Sequence, residues 1–315
     1  MKGKILKALR ESGDYLSGET LSKQLGISRV SIWKHIRSLK ENGYTIEASP
    51  KGYRLVSSPD SLLPHEFPSL EQRIHYFQEI GSTMDAAREL AKRGAEEGTI
   101  VIAEAQTRGR GRLSREWLSP KGGIYFTIIL RPKISPAYAS RINLMAAVAV
   151  ASTIRRLFGL KAEVKWPNDV LIEGRKVCGI LAEMDAEMDV TNFVNVGIGI
   201  NANTSVPRFE KTATSLKDVL GKEISRKEFL SALLVEIRRW QALLMEADLF
   251  DEWKKLSITL NKDVKVIAPG EVIVGRAIDV DTTGALIIRE RNGSLRNAVA
   301  GDCIHLMEEA LNTNT

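Results

Sequence analysis

Three short stretches carry residue types and spacings suited to chemistry on an anion. In the first, Glu104 to Pro120 (EAQTRGRGRLSREWLSP), Arg108, Arg110 and Arg112 alternate with Gly109 and Gly111, and an aromatic residue, Trp117, follows. Glycine lets a backbone approach a ligand closely, and guanidinium groups offer forked, permanently charged donors matched to carboxylate and phosphate oxygens. Arginines 108, 110, 112 and 115 repel one another and the two glycines are costly to order, so the loop is expected to be mobile until a counter-anion arrives. The same composition suits a solvated or nucleic-acid-binding Arg/Gly segment. The β-branched run before it, Thr99 to Ala103, and Trp117 after it favour a folded site. The other two stretches are Lys165-Trp166-Pro167-Asn168-Asp169 and Lys176-Val177-Cys178-Gly179-Ile180-Leu181-Ala182-Glu183. A Pro-Asn-Asp sequence is by itself an ordinary capped turn. Lys176 by itself could be a solvated strand-edge lysine, but its place ahead of an apolar run containing Gly179 fits a residue reaching into a pocket from a wall.

The elements that must position these stretches can be read from periodicity. Strand patterns run over Arg73 to Phe77, Gly122 to Arg131, Ala162 to Trp166, Val170 to Glu173, Lys176 to Met184 and Phe193 to Asn201. Gly81-Ser82-Thr83-Met84-Asp85 opens a helix lasting to Arg93, with Ser82 and Thr83 as caps and Asp85 completing a box-like arrangement. Pro136 to Phe158 predicts a long Ala-rich core helix, and Arg226 to Glu246 an amphipathic one. The tract Val196 to Asn203 (VGIGINAN) lacks the third glycine and the following helix of a dinucleotide fingerprint; its glycines suit close approach of a ligand ring to the backbone. From Lys262 the pattern changes to short strands, 264–268, 272–281, 285–290 and 295–300, with turns at Pro269-Gly270, Thr283-Gly284 and Asn292-Gly293. These make a small β-barrel with no evident catalytic residue of its own. The tail from Asn312 to Thr315 is expected to be disordered.

Residues 1–57 read as a winged helix-turn-helix. Ile5, Leu6 and Leu9 mark a first helix, Ser17 caps a second, and Gly26-Ile27-Ser28 turns into a third from Arg29 to Asn42 with Ile32, Trp33, Ile36 and Leu39 as its apolar stripe. Arg29, Ser31, Lys34, His35 and Ser38 are left facing outward. Tyr44 to Glu47 and Gly52 to Val56 form a hairpin with Lys51 at its tip, and Ser57 to Pro68 is a linker. Eleven Lys/Arg against five Asp/Glu in residues 1–57, taken from totals of 45 and 39, leave 34 of each in the remainder, so the whole excess of +6 sits in this segment. A polyanion-binding surface is therefore expected there, although such a fold also serves protein docking. The longest apolar stretch, Ile142 to Ile154, is too short and interrupted to span a bilayer, so the cytoplasm is the default expectation and no membrane partner is expected. Two cysteines, Cys178 and Cys303, are too few for a disulfide framework or thiolate cage. The four histidines show no metal or triad spacing.

Taken in order, the three stretches resemble the signature set of the biotin protein ligases, and the resemblance covers most of the chain, its N-terminal domain included. It looks like the bifunctional bacterial-type form, which is also the biotin-operon repressor. The resemblance implies an α/β multidomain protein: a winged helix-turn-helix with linker over residues 1–65, a central α+β ligase domain similar to class II synthetases over 66–258, and an SH3-like barrel over 259–315. It implies that biotin is activated by ATP and Mg2+ as biotinyl-5'-AMP. Biotin then passes to a lysine of a biotin carboxyl carrier domain in a carboxylase of the acetyl-CoA carboxylase type. Operator DNA and, once adenylate-loaded, a second copy of the chain are the further partners it implies.

Residue by residue, the resemblance makes Lys176 the bridge between biotin carboxylate and α-phosphate, with Arg110 and Arg112 folding over the adenylate and Gly111 between them. Ser82 and Thr83 would line the ureido pocket beside Met84. Gln106, Gly109, Trp117, Tyr125, Thr127, Gly179, Gly197, Gly199 and Asn201 would complete the biotin and adenylate site, with Asp169 and Asn168 near Mg2+. Ser28, Arg29, Ser31, Lys34, His35 and Lys51 would meet DNA. The pattern departs from the family at Met84, often Asn there, and at Leu113 and Ser114, which replace an Arg and a Gly. Two other readings are a ligand-sensing regulator without catalysis, which need not keep Arg110, Arg112, Lys176 and Asp169 together, and a lipoate ligase, in which a winged helix is unexpected.

Overall fold

Local capping and apolar rows account for the N-terminal unit. In the computed structural model, which describes residues 1–188, 190–206, 212–268 and 270–306, the chain packs as two units, residues 1–76 and 77–315. Helices α1 (Lys2–Ser12) and α2 (Gly18–Leu25) end at Gly13 and Gly26, both left-handed, and α3 (Arg29–Glu41) follows. Ser17 Oγ accepts from the Thr20 N–H at 3.0 Å and Ser28 Oγ from the Ser31 N–H at 3.2 Å, answering main-chain donors that a helix start leaves orphaned. Ile5, Leu6, Leu9, Leu21, Ile32, Ile36 and Leu39 are buried together. Trp33 is not part of that stripe: it is 51% exposed, because it lies one residue, about 100° of helix, away from the Ile32–Ile36–Leu39 row. Its ring instead lies 5.8 Å from the Arg37 guanidinium.

Strands β1 (Thr45–Ser49) and β2 (Gly52–Ser57) close the wing, antiparallel, with Ser49 opposite Gly52. Leu16 and Tyr53 exchange two main-chain hydrogen bonds, both 2.9 Å, that tie the wing to the start of α2. This contact demands glycine at 52, where φ is +126° and a Cβ would stand 2.1 Å from the Leu16 carbonyl oxygen.

Strand β3 (Ile74–Phe77) is followed by α4 (Thr83–Lys92), β4 (Ile100–Ala103), β5 (Ile124–Leu130), α5 (Ala139–Phe158), β6 (Ala162–Lys165), β7 (Asp169–Ile172), β8 (Arg175–Glu187) and β9 (Val190–Ile200). They form one sheet in the order β3-β4-β5-β9-β8-β7-β6, and the pairs from β4 to β6 are antiparallel. Helix α4 packs on β4, β5 and β9, whereas α5 packs on β8 and β6. The stretch 136–158, a 3-10 turn leading into α5, is the only helical segment among the described residues long and apolar enough to cross a membrane, and 67% of its most apolar 18 residues are buried within the fold.

The expected helix from Arg226 to Glu246 stops at Ala242. After α6 (Leu216–Leu220), α7 covers Arg226–Ala242 and a separate α8 covers Ala247–Leu256, because Glu246 takes an extended backbone conformation between them. Both α7 and α8 pack on α5. A buried pair, Arg226 to Glu104 at 2.7 Å, ties α7 to the residue after β4.

The chain ends in a five-stranded antiparallel sheet of β10 (Asp263–Ala268), β11 (Glu271–Val280), β12 (Leu286–Arg289), β13 (Leu295–Ala298) and β14 (Asp302–His305), ordered β13-β12-β11-β10-β14. The sequence pattern had not revealed β14, and β13 stops short of the predicted 300. Pro269 and the tail 312–315 lie outside the described residues. The three-part fold class read from the sequence is borne out.

Gly52→Ala should cost the N-terminal unit roughly 2 kcal/mol or more, since backbone strain and a clash with main chain combine. Thermal unfolding checks this: a midpoint unchanged for the N-terminal transition would contradict the packing described.

Candidate active site

A cavity of about 350 Å3 reaches from Thr83 and Met84 at the start of α4 to Asp302, Cys303 and Ile304 on β14. Its narrow end is organised by one chain of hydrogen bonds. Thr127 Oγ1 on β5 donates to Thr83 Oγ1 at 2.9 Å, and Thr83 gives its hydroxyl at 3.0 Å and its N–H at 2.8 Å to Gln106 Oε1. Gln106 Nε2 donates onward to Ser119 Oγ at 2.9 Å, and Ser119 donates to the Trp117 carbonyl, also at 2.9 Å. A strand, a helix start and both ends of the Arg/Gly loop are thereby locked together. Nearby, Ser82 Oγ and Trp117 Nε1 are buried without a hydrogen-bond partner among the described residues, and such groups suit the polar atoms of a ligand.

The cavity floor is bare backbone. Gly179 on β8 stands directly opposite Gly199 on β9. A Cβ on Gly199 would lie 2.4 Å from Trp117 Nε1, one on Gly179 2.8 Å from the Trp117 ring, and one on Gly197 2.6 Å from Met84 Sδ. The indole therefore lies flat on main chain, and Lys176 Nζ sits 5.2 Å from its centroid, within cation–π range.

Four cations around the cavity diverge to acceptors of their own. Lys176 Nζ is 2.7 Å from Asp169 Oδ1. Arg112 donates to Asn168 Oδ1 at 3.3 Å and, with both terminal nitrogens, to the Gly301 carbonyl at 3.2 Å; burial lowers its pKa. Arg110 bonds Asp85 at 2.9 Å and Glu183 at 2.5 Å, and Arg88 shares Glu183. Arg115 pairs with Asp302, while Arg108 is exposed. Burial pushes the Cys303 thiol up to about 12 and raises Cys178 as well, so neither is a thiolate nucleophile near neutral pH. Among the described residues no group of three or more His, Cys, Asp and Glu could hold a metal ion.

The description "Biotin/lipoate A/B protein ligase family" matches residues 76–201, "HTH domain" residues 2–54, and "Biotin protein ligase C terminal domain" residues 259–306. The bifunctional ligase/repressor BirA of Bacillus subtilis is 34% identical over 305 residues, 92% of this chain and 94% of that one. The chain belongs to the biotin protein ligase family. The BirA of Escherichia coli is 30% identical over 94% of this chain and 95% of its own length, so the ligase is of the bifunctional ligase/repressor type. Among solved structures, the biotin protein ligase of Aquifex aeolicus in complex with biotin and ATP superposes with a TM-score of 0.63 at 28% identity, over 73% of this chain and 97% of that one.

The helix-capping roles expected of Ser82 and Asp85 are not seen: Ser82 precedes α4 without a side-chain cap bond, and Asp85 holds Arg110. Several residues expected in the ligase's site have other work. Tyr125 is buried and donates its hydroxyl to the Pro120 carbonyl at 2.9 Å, and Asn201 donates its amide to the Thr214 carbonyl at 3.0 Å; neither lines the cavity. Thr127 stands one bond behind it, supporting Thr83. Gly109 is required by packing, because a Cβ there would lie 2.2 Å from the Trp117 carbonyl oxygen. Thr83, Met84, Gln106, Gly111, Arg110, Arg112, Trp117, Asn168, Asp169, Lys176, Gly179, Gly197 and Gly199 do meet at the cavity.

The sequence reading missed Ser119, Glu183 and Asp302, whose importance lies in partners 13, 73 and 187 residues away along the chain. It found no evident catalytic residue in the C-terminal domain; β14 nonetheless forms one cavity wall.

On α3, Arg29 and Lys34 are exposed, as is Lys51 at the wing. Ser28 and Ser31 are engaged in the cap of α3, and half-buried His35 has its pKa lowered by burial, then by the Met1 ammonium and Lys2.

Because Glu183 holds two arginines, Glu183→Gln should loosen Arg110, leaving Asp85 to hold it. Losing a partly exposed ion pair of about 1 kcal/mol should speed tryptic cleavage after Arg110 roughly five-fold. Cleavage at the wild-type rate would show that this pair does not hold the loop.

Proposed function

We propose that the ligase forms biotinyl-5'-AMP from biotin and ATP in this cavity, then transfers biotin to a lysine of a biotin carboxyl carrier domain in a biotin-dependent carboxylase of the cytoplasm. The observation that supports this reading most is the pair Arg112 and Lys176, two cations facing one cavity and each held by the turn at residues 166–169. A carboxylate approaching a polyanionic phosphate meets repulsion, and preorganised cations that strengthen as charge develops lower that barrier. In the first step a biotin carboxylate oxygen bonds the α-phosphorus and the bond to pyrophosphate breaks. In the second, a lysine amine attacks the acyl carbon, AMP leaves with the electron pair of the broken C–O bond, and the nitrogen gives up its proton.

Lys176 would leave Asp169 to bridge carboxylate and α-phosphate, with Arg110, Arg112 and Trp117 covering the adenylate. Thr83 and Gln106, beside the unpartnered Ser82 hydroxyl, would hold the ureido end on the glycine floor. Asp169 suits a Mg2+ ion bound mainly through phosphates and water, a mode that needs only one or two carboxylates; the ion would neutralise phosphate charge. The repressor activity would come from residues 1–57, as a homodimer formed once adenylate is loaded, with Arg29 and Lys34 at operator bases and Lys51 at phosphates.

If Lys176 stabilises developing charge, Lys176→Ala should slow single-turnover adenylate formation by roughly 10²-fold or more with the fold intact. A rate within a few-fold of wild type removes the assignment. Anisotropy with a biotin-operon promoter fragment checks the N-terminal half. Lys51→Ala should weaken binding to all duplexes and reduce the salt slope by about 0.9, whereas Arg29→Ala should reduce discrimination by roughly 1–3 kcal/mol if it makes a bidentate base contact. A chain lacking residues 1–57 should lose DNA binding and keep ligation. No binding by the loaded full chain at low salt would refute the repressor role alone.

A further inference from the structure

The turn that holds both cations is itself held from behind by the C-terminal barrel and the segment leading into it. The Trp166 main-chain N–H donates to Thr259 Oγ1 at 3.0 Å, and the Trp166 indole N–H donates to the Gly284 carbonyl at 3.2 Å. Thr259 is fully buried, and the Ile258 N–H bonds the Val164 carbonyl at 3.0 Å, which sets the register of the two segments. Having accepted from Trp166, the Thr259 hydroxyl still has its own proton to place, and His305 Nε2 lies 3.2 Å away. Burial, reinforced by Lys165 and Lys262, pushes His305 down to about 4, so it is neutral near pH 7 and able to accept. On its other side the turn presents Asn168 to Arg112 and Asp169 to Lys176.

The geometry points to Thr259, backed by His305, as a positioning residue for adenylate formation: it fixes the turn through which Arg112 and Lys176 are aimed. This rests on the reading of those two cations as phosphate-facing. A group that merely satisfied a buried N–H would affect stability alone, whereas a positioning group affects the chemical step, where a small misplacement is expensive.

The test is steady-state adenylate formation by the full-length protein carrying Thr259→Val, an isosteric change that removes the oxygen. The expected result is a kcat lowered about ten-fold with the KM for biotin, held at the far end by Thr83 and Gln106, unchanged; Thr259→Ser, which keeps the oxygen, restores kcat. A wild-type kcat, a loss that serine does not rescue, or a biotin KM rising in step with the loss overturns the proposal. Should Thr259→Val fail to fold, His305→Ala at its half-buried position should lower kcat by a smaller factor with biotin KM unchanged, and a wild-type kcat there overturns the proposal too. Lys176→Ala measured alongside separates the two levels. An active Lys176→Ala enzyme refutes the site reading and the positioning role with it, while an inactive one beside a normal Thr259→Val enzyme refutes the positioning role only.

Discussion

Arg110, Arg112, Arg115, Lys165 and Lys176 bring five positive charges to the rim and wall of one small cavity. Two unit charges about 5 Å apart repel by roughly 3 kcal/mol at an effective dielectric near 20, so separate counter-groups for its members hold such a cluster together. The fold answers four of them from different elements. Asp85 on α4 and Glu183 on β8 take Arg110, Asn168 and the Gly301 carbonyl take Arg112, Asp302 on β14 takes Arg115, and Asp169 on β7 takes Lys176. Since most of these partners come from beyond the loop, the sheet, α4 and the barrel must all be assembled before the cavity has its shape.

Space in that cavity comes from what the floor lacks. Gly179, Gly197 and Gly199 leave room for an indole and a thioether to rest on main chain, and every added Cβ would stand within 3 Å of one of them. Glycine in a strand weakens it through lost packing and entropy. Here the strands around the floor compensate: β9 is paired on both sides, by β5 and β8, and the neighbouring Ile180, Ile198 and Ile200 are buried. The hydrogen-bond chain from Thr127 to the Trp117 carbonyl then fixes where the loop leaves and rejoins the sheet. The departure at Met84 fits this arrangement, because its sulfur fills the space over Gly197.

Much of this was legible in the amino-acid order. The caps at Ser17 and Ser28, the apolar rows of the three N-terminal helices, the strand runs of the central sheet and the concentration of charge in residues 1–57 all depend on neighbours within a few residues, where backbone geometry sets the period and side-chain chemistry sets the ends. The arginine, lysine and glycine types of the cavity were likewise apparent from their spacing. Where local pattern misled, a neighbouring residue decided the outcome: Trp33 sits one position off its row, and Glu246 breaks a helix that apolar spacing alone would continue.

Tertiary structure alone decided the partners. Nothing near Arg112 in sequence announces the Gly301 carbonyl 189 residues on, and nothing in Thr259 announces the Trp166 N–H 93 residues earlier. Nor does the chain order show that Tyr125 and Asn201 would spend their polar groups on nearby carbonyls while Thr83 and Gln106 kept theirs at the cavity. Residue type and local period are written into each segment by short-range sterics and hydrogen bonding. The choice among many chemically equivalent acceptors is made only when packing brings distant segments within bonding distance, and that packing is a property of the whole chain.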